Sequence, residues 1–265
     1  MPVSGRTELV AILGDPIAQA SAPRLMNALF ERQGRDAVLV AHHVRAADLA
    51  SALAGLRATQ NLRGAIVTMP HKVAVVALLD ALAAEAREVG ACNVVRRAPD
   101  GRLVGTMLDG EGFVASVRRA GHDVRGARAF LAGAGGAAAG IAFALARHGA
   151  TALRIHNRTR SAAEDLAARV RGAVPGFDVA VAAGPSPTGC DLVVNATSLG
   201  MRSDDPTPLD VGGLEPGALV AEAPIRPEPT RLLAAAAARG CRTHGGLAML
   251  EAQIELMAEF VFAAT

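Results

Sequence analysis

The chain has no tryptophan and no tyrosine, and its aromatic content is only 3%. Stacking on single-stranded nucleic acid depends on such rings. There is no basic block either: 27 Lys and Arg stand against 25 Asp and Glu, a net charge of +2. These two absences argue against a nucleic-acid partner. Cysteine is scarce. Cys92, Cys190 and Cys241 show no CxxC or metal-ligand spacing, and the seven histidines form no ligand set. No metal site is expected, and the cysteines read as reduced residues of a cytoplasmic protein. No stretch reaches the ~20 apolar residues of a membrane span. The opening MPVSGRTELVAILGD, charged on both sides of Thr7, does not read as a signal peptide.

What is present points to a packed enzyme-sized chain. Its 265 residues are 51% hydrophobic and 20% charged, enough for two modest domains or one large one. The first part alternates apolar strand patterns with helical ones. Strands are expected over Glu8–Leu13, Ala37–His42, Gly64–Thr68, Ala91–Arg97 and Leu103–Met107. Helices are expected from Pro23 to about Gln33, over Ala46–Leu56, after Lys72 through Leu79, and over Ala84–Val89. Such alternation implies a mostly parallel sheet in three layers. Further helices are expected over Phe113–Arg119, Ser161–Arg171, Thr230–Arg239 and Met249–Ala264, with strands over Val179–Ala182, Leu192–Asn195 and Ala218–Ala221.

The organising stretch is Ala129–Thr159. The apolar run Ala129–Ala132 leads into Gly133, Ala134, Gly135, Gly136, Ala137 and Ala138, then a helical pattern to Arg147, then a second strand at Leu153–His156. This is the strand–glycine loop–helix–strand order of a Rossmann-type dinucleotide-binding unit. Gly133 suits the tight turn, Gly135 lets backbone N–H groups approach a pyrophosphate, and Ala138 lets the helix lie close to the sheet. The helix start adds unpaired donors and partial positive charge. Roughly 20 residues after the loop, where an NAD site offers a carboxylate to the ribose, the chain has Asn157, Arg158, Thr159 and Arg160. Guanidinium groups suit a phosphate, so the expected cofactor is NADP rather than NAD.

Several motifs, in order, resemble the shikimate dehydrogenase family. They are Gly14–Ala18, the VTxPxK-like segment Val67–Lys72, the GAxN-like Gly90–Asn93, the DGxG-like Asp109–Gly112, the glycine loop, the NRT at Asn157, Asn195–Met201, and Gly246–Gln253. The resemblance covers nearly the whole chain. It implies an N-terminal α/β substrate domain over residues 1–108, completed by a C-terminal helix at 245–265. A Rossmann-type NADP domain would span 109–244, with a cleft between the two. It implies an NADP-dependent oxidoreductase acting on a CH–OH group of a cyclic hydroxy acid, in aromatic amino acid biosynthesis, as a monomer or homodimer. Lys72 would shuttle the hydroxyl proton and Asp109 would hold and polarise it. Gln19, Thr68, Asn93 and Gln253 would meet the substrate. Gly133, Ala134, Gly135, Gly136, Ala137, Asn157, Arg158, Thr159, Ala196, Thr197, Ser198 and Gly246 would meet the cofactor. The residues alone leave plainer readings open: Lys72 at a helix start, Asp109 as a helix cap, Thr68 in a strand, Asn93 in a turn, Gln253 on an exposed helix face.

The chain also departs from the family pattern. Where the family shows HSxSP, whose two serines bind the substrate carboxylate, this chain has Gln19, Ala20, Ser21, Ala22 and Pro23. Ile66, Met107, Leu108 and Ile225 likewise replace polar family residues. The expectation is a retained redox centre facing an altered, more apolar pocket, with a quinate-like or other alicyclic alcohol as the alternative substrate. A nucleotide-binding sensor without catalysis is the alternative class, and Lys72, Asp109, Asn93 and Gln253 together speak against it.

Overall fold

Val10–Leu13 is an uninterrupted apolar run, as a strand covered on both faces requires. The computed structural model describes residues 3–225 and 229–263 and divides into two compact units. The first comprises Met1–Leu108 and Gln253–Thr265, the second Asp109–Ala252.

In the first unit, strands β1 (Glu8–Gly14), β2 (Ala37–His43), β3 (Leu62–Val67), β4 (Ala81–Leu82), β5 (Val94–Arg97) and β6 (Leu103–Thr106) form one sheet. Their order is β2-β1-β3-β5-β6-β4. β1 runs parallel to β2 and β3, while β5 is antiparallel to both its neighbours. Side chains alternate across a strand. Ala11 and Leu13 therefore enter one core with Leu49, Leu53 and Leu56 of helix α2 (Leu49–Ala58). On this arrangement Val10 and Ile12 serve the opposite face. There Phe30 of α1 (Ala22–Arg32) meets Phe262 edge-on at 5.5 Å, and Arg35 stacks over the same ring at 4.0 Å.

Helix α3 (Ala84–Val89) ends at Gly90, whose φ of 64° supplies the left-handed cap. The helix expected after Lys72 through Leu79 is instead turns and a 3-10 helix at Ala74–Leu78. Val73, Val75 and Val76 are β-branched and disfavour a regular helix. The helix expected from Ala46 opens as a 3-10 turn, with α2 beginning at Leu49.

The second unit holds α4 (Asp109–Arg119), β7 (Arg128–Ala132), α5 (Gly136–Arg147), β8 (Ala152–His156), α6 (Arg160–Ala173), β9 (Asp178–Val181), β10 (Leu192–Asn195), β11 (Leu219–Glu222), α7 (Arg231–Ala238) and β12 (Arg242–His244). Its sheet is parallel throughout, in the order β12-β11-β10-β7-β8-β9. That is the doubly wound dinucleotide-binding order, with the strand sequence reversing beside β7. Helix α8 (Gly246–Phe262) begins in this unit and ends in the first. The expected end of this helix at Ala264 lies outside the described residues. Strands β4 and β12 have no counterpart among the expected elements. They are two and three residues long, too short to show a period. Among the described residues, no helix is long and apolar enough to cross a membrane.

Two features anchor α4. A Cβ on Gly110 would collide with the Gly140 carbonyl oxygen and lie 2.7 Å from the Ala144 Cβ, so α4 and α5 touch backbone to backbone. Further along, the buried Ser116 hydroxyl donates to the Phe113 carbonyl (2.7 Å) and accepts from His244 Nε2 (2.8 Å). Burial, with a smaller contribution from His122, holds the His244 imidazole below its ordinary pKa.

Gly110→Ala should therefore cost at least about 2 kcal/mol. Gly172→Ala, on the exposed face of α6 with open space around it, should be neutral or stabilising by up to ~1 kcal/mol. Urea melts of the two variants check this. For His244 the unfolded chain takes up a proton near pH ~6.5 before the folded one does. Stability from this group is whole above that pH and is lost as the pH falls toward the lowered folded value. The melting temperature should drop between about pH 7.5 and 5.5, and His244→Gln should flatten that drop.

Candidate active site

In the first unit the loops after β1, β3 and α3 are knitted together by backbone. Thr68 N–H donates to Leu13 O (2.9 Å), Asp15 N–H to Met69 O (2.9 Å), His71 N–H to Thr68 O (2.9 Å) and Cys92 N–H to Lys72 O (2.8 Å). Gly14 leaves no room for a side chain, since a Cβ there would sit 2.6 Å from Thr68 Cγ2. The buried His71 ring binds Val44 O at 2.7 Å and secures the turn that presents Lys72. Lys72 itself is half-buried.

Asn93 is 1% exposed. Its backbone joins β3 and β6, accepting from Val67 N–H and donating to Thr106 O, and its Oδ1 accepts from Leu108 N–H at 2.8 Å. Gln253 is 4% exposed, so it is not on an exposed helix face. Thr68 is half-buried just beyond β3. These residues, with Lys72, belong to the first unit. Gln19 also belongs there but differs: it is exposed, and its amide donates to Pro16 O at 2.8 Å within its own turn. At the altered positions Ala22, Ile66 and Met107 are buried, and Ala20 is half-buried.

In the second unit Asp109, 3% exposed, is the first residue of α4. Gly133 follows β7 with φ 119° and donates its N–H to His156 O at 2.8 Å. A Cβ there would lie 2.9 Å from Ala196 O, so only glycine fits both the angle and the space. Gly135 is the N-cap of α5 and has no side chain to accept from the first-turn N–H groups. The space beside it is open, and Ala134, Gly136 and Ala137 around it are half-buried. Unsatisfied donors at a helix start, with open space before them, fit a pyrophosphate.

After β8, Asn157 Nδ2 donates to Thr159 O (2.9 Å) and shapes the turn into α6, with Thr159 as N-cap. Arg158 is exposed. Arg160 is exposed and pairs with Glu164 at 2.8 Å. After β10, Ala196 N–H donates to Ala132 O (2.8 Å). Thr197 and Ser198 follow in a loop closed by the Asn195 side chain, whose Oδ1 accepts from Thr197 N–H (3.0 Å) and Oγ1 (2.7 Å). Gly246 opens α8 at a place where a Cβ would collide with the Ala223 and Pro224 carbonyl oxygens. Among the described residues no cluster of His, Cys, Asp or Glu could hold a metal ion.

One signal in the sequence escapes motif reading. Lys72 is the only lysine in the chain; every other cation among the 27 Lys and Arg is arginine. Arginine satisfies any demand for positive charge but cannot exchange a proton at neutral pH. The one position that keeps an amine is Lys72, in the turn that His71 secures.

Known proteins share this fold. Residues 12–95 match the family described as the shikimate dehydrogenase substrate binding domain, and residues 115–198 match shikimate / quinate 5-dehydrogenase. A shikimate dehydrogenase (NADP(+)) of Moorella thermoacetica is 42% identical over 255 residues, spanning 94% of this chain and 85% of that protein. The structure of 5-ketofructose reductase from Gluconobacter sp. strain CHM43 superimposes with a TM-score of 0.86 at 35% identity, covering 99% of this chain and 95% of that one. Shikimate 5-dehydrogenase from Thermus thermophilus, in complex with NADP(H) and shikimate, gives 0.87 at 30% identity over 97% and 94%. With its two α/β units, its glycine loop and relatives of this similarity over nearly its full length, the chain belongs to the shikimate dehydrogenase family.

Proposed function

We propose that this chain is an NADP-dependent oxidoreductase that interconverts a secondary alcohol on a small polyhydroxylated molecule and its ketone, with Lys72 and Asp109 carrying the proton chemistry. The single lysine, set in the turn that His71 and Cys92 secure, carries this reading. The bound cofactor supplies hydride transfer at its nicotinamide. In the oxidation, the hydroxyl proton of the substrate passes to the Lys72 amine. In the reduction, the Lys72 ammonium returns the proton to the ketone oxygen. The Asp109 carboxylate holds and polarises that proton. Thr68, Asn93 and Gln253 hold substrate hydroxyls, and Gln19 borders them. The α5 start and its glycine loop (Gly133, Ala134, Gly135, Gly136, Ala137) hold the pyrophosphate. Asn157, Arg158 and Thr159 hold the 2′-phosphate, and Ala196, Thr197, Ser198 and Gly246 border the nicotinamide side. The first unit is then the substrate domain and the second the NADP domain, in a cytoplasmic monomer or homodimer.

Shikimate is the first substrate to consider, because curated relatives at about 40% identity carry that name. A second reading is an uncharged polyhydroxy ketone. Ala20 and Ala22 stand where the family pattern has the two serines that bind the carboxylate, and the 35% identical Gluconobacter structure is that of a 5-ketofructose reductase. Each hydrogen bond lost to a carboxylate weakens binding by about 1.5–3 kcal/mol.

Lys72→Met and Lys72→Arg should both lower kcat by about 10²–10⁴, on whichever substrate the wild type turns over, with NADPH affinity within about threefold. Retained turnover in the arginine variant would remove the proton-transfer role. Initial rates with shikimate, quinate and 5-ketofructose separate the substrates. If shikimate is poor, Ala20→Ser with Ala22→Ser should raise its kcat/KM by about two orders of magnitude. No gain would mean the carboxylate is bound elsewhere or is not part of the substrate.

A further inference from the structure

The most deeply buried acid that this mechanism leaves unused is a carboxylate at a strand end. Glu222, the last residue of β11, is 1% exposed. Among the described residues it is held by neutral donors: Asn195 Nδ2 donates to Oε1 at 2.8 Å, and the Thr230 hydroxyl donates to Oε2 in a short hydrogen bond. Burial pushes the Glu222 carboxyl above the usual range. A buried carboxylate is expensive, and an apolar residue would pack at the end of a parallel strand without that cost.

The surroundings explain its presence. Asn195 lies one strand away, paired in register with Glu222. Its Nδ2 bonds both Glu222 and Leu199 O (2.9 Å), while its Oδ1 takes Thr197 N–H and Oγ1. Thr197 Oγ1 in turn accepts from Leu199 N–H (3.1 Å). Gly200, at φ 102°, folds back so that a Cβ would lie 3.6 Å from Glu222 Oε1. Thr230, besides donating to Glu222, accepts from Leu233 N–H and caps α7. An amide can rotate end for end and exchange its donor for its acceptor. A carboxylate, which only accepts, admits one orientation: Nδ2 toward Glu222, Oδ1 toward Thr197.

We propose that Glu222 is a positioning residue that fixes the orientation of the Asn195 amide and thereby the conformation of the loop Ala196–Gly200 on the nicotinamide side of the cofactor. This rests on the NADP reading above. Removing the carboxylate leaves the amide held by Leu199 O and Thr197 alone, loosens the loop, and should affect only the half of the cofactor that the loop borders.

The test compares binding of NADPH, followed by its fluorescence, with binding of adenosine 2′,5′-bisphosphate, which carries the adenine half alone. Wild type, Glu222→Leu and Glu222→Gln are compared, each with a thermal melt. Glu222→Leu should weaken NADPH by about tenfold or more and leave the bisphosphate within about twofold. Glu222→Gln, whose carbonyl oxygen can still accept from Asn195, should stay within about threefold on both. Should Glu222→Leu not fold, Glu222→Asp serves, because it withdraws the carboxylate by one methylene and should show the same split. A folded variant that binds NADPH as the wild type does overturns the proposal, and so does equal loss of both ligands. A wild type that binds neither nucleotide overturns the NADP reading itself, before any variant is made.

Discussion

Parallel strands place all their carboxyl ends on one side, and in each unit of this protein nearly every residue of chemical interest lies at such an end. A parallel pair requires a crossover, and the crossover covers the sheet faces. The loops that leave the strand ends are then the places free to vary. In the first unit Gly14, Thr68 and Lys72 end or follow β1 and β3. In the second, Gly133 follows β7, Asn157 follows β8, Ala196 follows β10, and Glu222 ends β11. The cores beneath are built of Val, Leu and Ala, with Phe130 and the three cysteines, so the strands are stiff and the loops inherit fixed starting points.

Backbone contacts and single side chains then refine those loops. Gly14, Gly133 and Gly246 each occupy places where a Cβ would fall within 3 Å of a neighbour, so loops can be drawn together through main-chain atoms alone. The polar side chains that complete the arrangement are buried and directed: His71 on Val44 O, Asn93 on Leu108 N–H, Asn195 on Thr197 and Leu199. The exposed arginine–carboxylate pairs, such as Arg154–Asp178 and Arg128–Asp191, contribute little by comparison, because solvent screens them. Their pKa directions, with Asp178 and Asp191 lowered chiefly by their arginine partners, reflect surface pairing and have no place in the chemistry.

Much of this was legible from residue order. The glycine loop, the strand at Leu192–Asn195 and the helix from Ala84 to Val89 stand where periodicity and turn chemistry put them. Reading failed where the pattern was short or ambiguous. The segment after Lys72 through Leu79 is apolar without a clear period, and its valines favour the turns and 3-10 helix that form. β12 is Arg-Thr-His, which carries no strand signature; pairing with β11 makes it a strand. Arg158 and Arg160 look equivalent on paper, yet Glu164, one helical turn on, engages only the second.

By itself the sequence determined the order of elements, the family motifs, the near balance of charge and the single amine at Lys72, because these depend on residue identity and short-range periodicity. Only the tertiary structure decided that Gln253 and Asn93 are buried, that Gln19 bonds its own turn, that α4 meets α5 at Gly110, and that Glu222 holds Asn195. The physical reason is distance along the chain. Glu222 lies 27 residues from Asn195, and Leu108 lies 15 from Asn93. Partners that far apart are chosen by how strands are ordered in a sheet and helices laid upon it, and no local pattern of residues encodes that choice.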